Sequence, residues 1–150
     1  MKNGKKLFVV LFFVYIALVL YITLFAWNYG ASLGPAGPGG RNYNLIPFRS
    51  IYRISVFSQN WLDPVKILIG NILLFFPLGF FLPVVCKKMT SFRPIVMCGF
   101  FFSLAIEVTQ FSFTYRVADI DDLLLNTFGA FCGAAVYFFI VKVKRRIVIW

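Results

Sequence analysis

The 150 residues are 61% hydrophobic, 20% aromatic and only 13% charged, with a mean hydropathy of +0.85, a balance outside that of soluble domains. The net charge of +10 raises the question of nucleic acid, but ten of the fifteen Lys and Arg flank apolar runs on one side; membrane topology accounts for that pattern, and nucleic acid is set aside as a partner. Histidine is absent, which excludes Ser-His-Asp and Cys-His catalysis within the chain and leaves no conventional zinc site.

A helix needs about 20 apolar residues to cross the hydrocarbon core, and residues 7–27, 67–85, 94–113 and 123–141 qualify. They predict an all-α fold, an integral membrane four-helix bundle forming a single domain over residues 1–150. The first run follows Lys2, Lys5 and Lys6; at 21 residues it exceeds a signal-peptide core and no convincing small-x-small cleavage site closes it, so it reads as an uncleaved helix. It ends in Trp27 and Tyr29, aromatic residues suited to the membrane boundary. Residues 30–40 hold five Gly and two Pro in eleven positions, the composition of a flexible tether. The segment from Arg41 to Pro64 mixes Phe48, Ile51, Tyr52, Ile54, Phe57 and Trp61 with Arg49 and Arg53; its helical periodicity is weak, and it reads as an interfacial segment on the outer leaflet.

The second run carries Pro77 and Gly79 near its middle, where proline predicts a kink. Lys87, Lys88 and Arg93 lie between it and the third run, and the short connection from Thr114 to Asp122 makes the third and fourth helices antiparallel neighbours. Lys142, Lys144, Arg145 and Arg146 follow the fourth. By the positive-inside rule the three basic groups are cytoplasmic. The chain then sits in the cell membrane as a multi-pass protein with both termini cytoplasmic and a long outer loop between the first two helices. Arg41, Arg49, Arg53, Lys66 and Arg116 fall outside, with all five acids, Asp63, Glu107, Asp119, Asp121 and Asp122, in or near the outer half. Cys86, Cys98 and Cys132 are odd in number and widely spaced, which argues against a disulfide framework or a CxxC metal site.

Glu107 is the ionisable residue placed well inside a span, where a carboxylate costs a few kcal/mol, and it is a functional candidate on that ground. At about 100 degrees per residue, Ser103, Glu107, Gln110 and Thr114 fall within about 60 degrees of one another. Asp119, Asp122, Asn126, Gly129 and Gly133 share a similar arc if the last helix starts near Ala118. Gly129 and Gly133 form a GxxxG that lets two backbones approach. From the rise of about 1.5 Å per residue, Asn71, Glu107 and Asn126 lie at one level, roughly 6 to 10 Å below the outer boundary. Structural readings stand beside the functional ones. Asn71 and Asn126 could join helices, Gln110 and Ser103 could pack or bond backbone, and Asp121 reads as a solvated or helix N-terminal charge. For Glu107 the structural reading is a buried ion pair with Arg116 or Arg49.

Four blocks in order then resemble the VanZ-like membrane proteins: N-L-I-P-F from Asn44 to Phe48, N-I-L-L-F-F-P-L-G from Asn71 to Gly79, S-L-A-I-E-V-T-Q from Ser103 to Gln110, and R-V-A-D-I-D-D-L-L-L-N-T-F-G-A-F-C-G from Arg116 to Gly133. The ordered set is more specific than any single block. The 30–40 tether departs from the short linker expected of a minimal member. The resemblance implies a bacterial cytoplasmic-membrane protein tied to lowered susceptibility to teicoplanin or related lipoglycopeptides, and it supplies no catalytic assignment.

Three functions are weighed. In the first, an outer cluster binds a membrane-surface ligand, a lipoglycopeptide or a lipid-linked cell-wall precursor, with membrane lipid as surroundings and no cofactor. Asn71, Ser103, Glu107, Gln110, Asp119, Asp122 and Asn126 supply its polar contacts, and Arg49 and Arg116 hold phosphate or carboxylate groups. In the second, an intramembrane enzyme acts on a lipid-linked envelope substrate with Glu107, Asp119 and Asp122 as acid and base, alone or around a divalent cation; no nucleophile is identifiable. The third, a small ion or proton transporter, requires polar residues to continue into the inner half, where few occur.

Overall fold

Each of the four apolar runs becomes a helix. A computed structural model describes residues 2–25, 43–113 and 117–147. The Gly/Pro tether, Trp27, Tyr29, Arg41, Thr114 and Arg116 therefore lie outside the described residues. The elements in chain order are α1 (Lys2–Leu24), β1 (Tyr43–Asn44), α2 (Arg49–Phe57), α3 (Leu62–Val85), α4 (Phe92–Phe113), β2 (Ala118–Asp119) and α5 (Ile120–Ile147). Four helices, α1, α3, α4 and α5, are long and apolar enough to cross a membrane.

The four long helices start before their apolar runs, and α5 also ends beyond its own, because polar ends suit their termini. Helix α3 starts five residues early, with Asp63 in its first turn, where the helix dipole favours a negative charge. Pro64 also sits in that turn, where a missing N–H costs nothing. Helix α5 begins with Asp121 and Asp122 and ends on Lys144, Arg145 and Arg146, complementing the dipole at both ends. Its 28 residues span about 42 Å, more than the roughly 30 Å hydrocarbon core. Helix α3 continues through Pro77 and Pro83. Pro77 leaves the Leu73 carbonyl without its helical donor, and the neighbouring Leu74 carbonyl accepts the Tyr15 hydroxyl at 2.6 Å.

Contacts between the helices set their directions. Phe8 meets Phe81, and Gln110 reaches the carbonyl of Thr23. Thus α1 and α4 run one way, and α3 and α5 the other. One end of the bundle gathers the start of α3, the end of α4 and the start of α5, and with them the carboxylates. The opposite end gathers the basic clusters.

Helices α3 and α5 make the most extensive contact, and glycine is the reason. A Cβ added at Gly133 would fall onto the Phe76 carbonyl, one at Gly129 onto that of Ile72, and one at Gly79 onto that of Ala130. Three glycines on two helices thus remove the side chains that would hold the backbones apart. Around this seam lie two apolar clusters, Val19, Phe75, Leu78 and Ile106 toward the carboxylate end and Leu82, Ile95 and Ala134 toward the basic end. Large apolar side chains also point outward: Phe13 is 64% exposed, Phe101 57% and Phe139 67%. An outer surface of this kind matches lipid rather than water.

Candidate functional site

The segment between α1 and α3 is built from its first polar residue. Asn44 folds the chain back on itself: its Oδ1 accepts the Ile46 N–H at 3.2 Å, and its Nδ2 donates to the Ile46 carbonyl at 3.3 Å. Pro47 and Phe48 follow, and Phe48 takes a left-handed conformation at φ 64°, strained for a bulky side chain. That turn aims the N–H groups of Phe48, Ser50 and Ile51 at one point, while that of Arg49 donates to the Ile46 carbonyl. Helix α2 has no side-chain cap of its own; Asp121, from the first turn of α5, supplies one. Its carboxylate accepts the N–H of Phe48, of Ser50 at 3.0 Å and of Ile51 at 3.3 Å. A nest of main-chain donors at a helix N-terminus is an anion site, and here the anion is part of the chain. Asp121 is 2% exposed.

Two residues before it, Asp119 joins three elements. Its Oδ1 accepts Asn44 Nδ2 and the Asp121 N–H, each at 2.9 Å. Its own N–H donates to Glu107 Oε2 at 2.7 Å. The backbone reinforces the junction through a parallel pair of two-residue strands, Tyr43 opposite Ala118 and Asn44 opposite Asp119. Asn44 Nδ2 also reaches Ser50 Oγ at 3.0 Å. A continuous chain of polar contacts therefore runs from Glu107 on α4 through Asp119 and Asn44 to the start of α2. Glu107 is 7% exposed.

The remaining polar residues bond in pairs. Half-buried Asn71 donates to half-buried Asp122, joining α3 to α5. Asn126 donates to Ser103 Oγ at 2.9 Å, one turn deeper, joining α5 to α4. Asn126 Oδ1 has no hydrogen-bond partner among the described residues, so this pair carries a desolvation cost of about 1 to 3 kcal/mol that an apolar pair would not. Gln110 donates to the Thr23 carbonyl at 2.8 Å, joining α4 to α1. Below Ser103 and Asn126 the core is apolar.

Arg49 is exposed at the first position of α2. Among the described residues the one salt bridge joins Lys66 and Asp63 at 3.2 Å, on the surface, so Arg49 is not the ion-pair partner of Glu107. No group of three Asp, Glu or Cys among the described residues is placed to hold a metal ion. Glu107, Asp119, Asp121 and Asp122 accept main-chain or amide N–H groups, and Asp63 accepts from Ser58 and Lys66.

The whole arrangement lies within a match to the family model described as VanZ/LLP1, which covers residues 12–142. The chain belongs to the VanZ/LLP1 family. It is similar to Protein VanZ of Enterococcus faecium, with 30% identity over 134 residues that cover 89% of this chain and 75% of that protein. No solved structure matches it.

The four sequence blocks of this VanZ-like chain acquire physical meaning from the geometry. The N-L-I-P-F block and the D-x-D-D block meet at the N-terminus of α2, through Asn44 with Asp119 and Phe48 with Asp121. The Asn71 and Ser103 blocks each contribute one partner to α5. Of the residues singled out from sequence, Ser103, Glu107, Gln110 and Asn126 are buried, and Asn71, Asp119 and Asp122 are half-buried. Asp119 stands in β2 rather than on the last helix, which starts at Ile120. Asp121, read as a solvated or terminal charge, is a buried cap. Asn44, Ser50 and Thr23 were missed as members; the N-L-I-P-F block was the signal for Asn44, and Thr23 enters through its carbonyl, which no side-chain pattern announces.

Proposed function

We propose that this chain is a bacterial membrane protein that lowers susceptibility to teicoplanin or a related lipoglycopeptide, by holding an amphiphilic ligand at the carboxylate end of the bundle on the extracytoplasmic side. The observation that carries the reading is the set of buried carboxylates, Glu107 and Asp121 with Asp119 between them, that fastens β1 and α2 to α4 and α5. A carboxylate inside a span is costly, and this one supports a surface helix. The outward face of α2 carries Arg49, Tyr52 and Arg53, all exposed, with neither arginine in a salt bridge among the described residues. Two guanidinium groups beside an aromatic ring suit the phosphate of a lipid-linked precursor or the carboxylate of an amphiphilic antibiotic. The Asp122 and Asn71 pair forms the inner boundary of the same region. Glu107 acts through Asp119 as a positioning residue.

Proton or ion transport finds no support in the apolar core below Ser103 and Asn126, formed by Leu78, Leu82, Ile95 and Ala134. An enzyme reading asks for a carboxylate turned to a substrate, whereas Glu107, Asp119 and Asp122 each commit an oxygen within the chain. The test is calorimetric titration of the purified chain in nanodiscs with teicoplanin and with vancomycin. Saturable teicoplanin binding is expected, weakened about tenfold by Arg49→Gln with Arg53→Gln, as loss of charge-assisted contacts requires. Absence of binding to either compound, or steady turnover of a lipid-linked substrate abolished by Glu107→Gln, would overturn it.

A further inference from the structure

The opposite end of the bundle holds a cavity of about 570 Å³ between the end of α3, the turn after it and the last turns of α5. Lys87, Lys142, Arg145 and Arg146 line it. No Asp or Glu side chain is within reach, because all five acids of the sequence, from Asp63 to Asp122, belong to the other end. The C-terminal ends of α3 and α5 converge here, and each contributes roughly half a negative elementary charge. Together they offset about one of the four cations and leave most of the charge without a partner among the described residues. The inner wall is apolar, formed by Pro83, Tyr137 and Phe138, with Pro83 buried and the two rings half-buried.

A cationic mouth over an apolar wall at the end of membrane-crossing helices matches a molecule with an anionic head and a hydrocarbon tail. We infer that this cavity is a binding site for an anionic phospholipid, whose phosphate sits among Lys87, Lys142, Arg145 and Arg146 while its acyl chain runs along Pro83, Tyr137 and Phe138. The site is independent of the ligand region at the carboxylate end. Basic residues at a helix end also set membrane orientation, and that role depends on their number rather than on where they point.

Native mass spectrometry of the purified full chain tests the inference, with dioleoyl phosphatidylglycerol, dioleoyl phosphatidylcholine and sodium phosphate offered separately. The wild type is expected to retain phosphatidylglycerol in preference to phosphatidylcholine. Lys142→Gln with Arg146→Gln should weaken that retention roughly thirtyfold, the cost of two basic contacts at an anionic surface. Lys144→Gln, outside the cavity, should leave it unchanged. Arg146→Gln combined with Ser91→Lys keeps the number of basic residues at this end and should still show the loss. Equal retention of the two lipids, recovery of binding by Ser91→Lys, or binding of free phosphate as tight as that of the lipid would overturn the inference. Far-ultraviolet circular dichroism identifies any variant that fails to fold, and the single Arg145→Gln then replaces it, with the same direction of change expected.

Discussion

At the scale of single residues, the decisive group is a carboxylate that serves backbone. Asp121 accepts three N–H groups at the start of α2, so removing it leaves those main-chain donors without their acceptor, at up to about 1 to 3 kcal/mol for each one that water does not reach. Asp121→Ala should therefore release α2, seen as faster amide exchange over residues 49–57, while exchange in α3 and α5 stays slow. Asp121→Asn keeps one acceptor oxygen and should fall between; unchanged protection of α2 in the alanine variant would show that the cap is dispensable. Glu107 was legible in the sequence because a carboxylate in an apolar run needs a reason. Asp121 was not, because two acids in a first turn already satisfy the helix dipole. Its partners in α2 and the turn before it lie 70 to 73 residues away, a separation that helical periodicity does not register.

At the scale of elements, the bundle turns on the seam between α3 and α5. Gly133→Ala would drive a methyl group into the Phe76 carbonyl, and overpacking of this kind costs about 1 to 3 kcal/mol where the neighbour is backbone. Gly70, on the exposed side of α3, has nothing within 4 Å of an added Cβ, so Gly70→Ala should be neutral or stabilising by up to about 1 kcal/mol. Thermal unfolding in detergent should rank them in that order, and a Gly133→Ala variant as stable as wild type would contradict the close approach. The GxxxG spacing made half of this seam readable, and Gly79 supplies the other half from α3. Helix α2 was harder to see. It has nine residues and none of them is buried; its apolar inward side is carried by half-buried Ile51 and Ile54 alone, a stripe too short to stand out in the sequence.

At the scale of the molecule, the two ends differ in charge and in what they hold. Carboxylates knit one end together, and cations without a salt-bridge partner among the described residues line a cavity at the other. By the positive-inside rule the basic end is expected to face the cytoplasm. With the native cysteines replaced, Thr90→Cys should resist a membrane-impermeant maleimide in intact cells and Gly37→Cys should react; labelling of position 90 from outside would reverse the orientation. The bundle itself was legible because hydrocarbon thickness imposes its length on the sequence. The bridge between β1 and β2 was not, since two residues per strand carry no periodicity. Teicoplanin susceptibility tests most directly whether the carboxylate end carries the function. In a susceptible bacterium, expression of the wild-type chain should raise the inhibitory concentration of teicoplanin. Glu107→Gln, inserted in the membrane at the same level, should return it to that of the empty vector; equal protection by both chains, or none by the wild type, would contradict that claim.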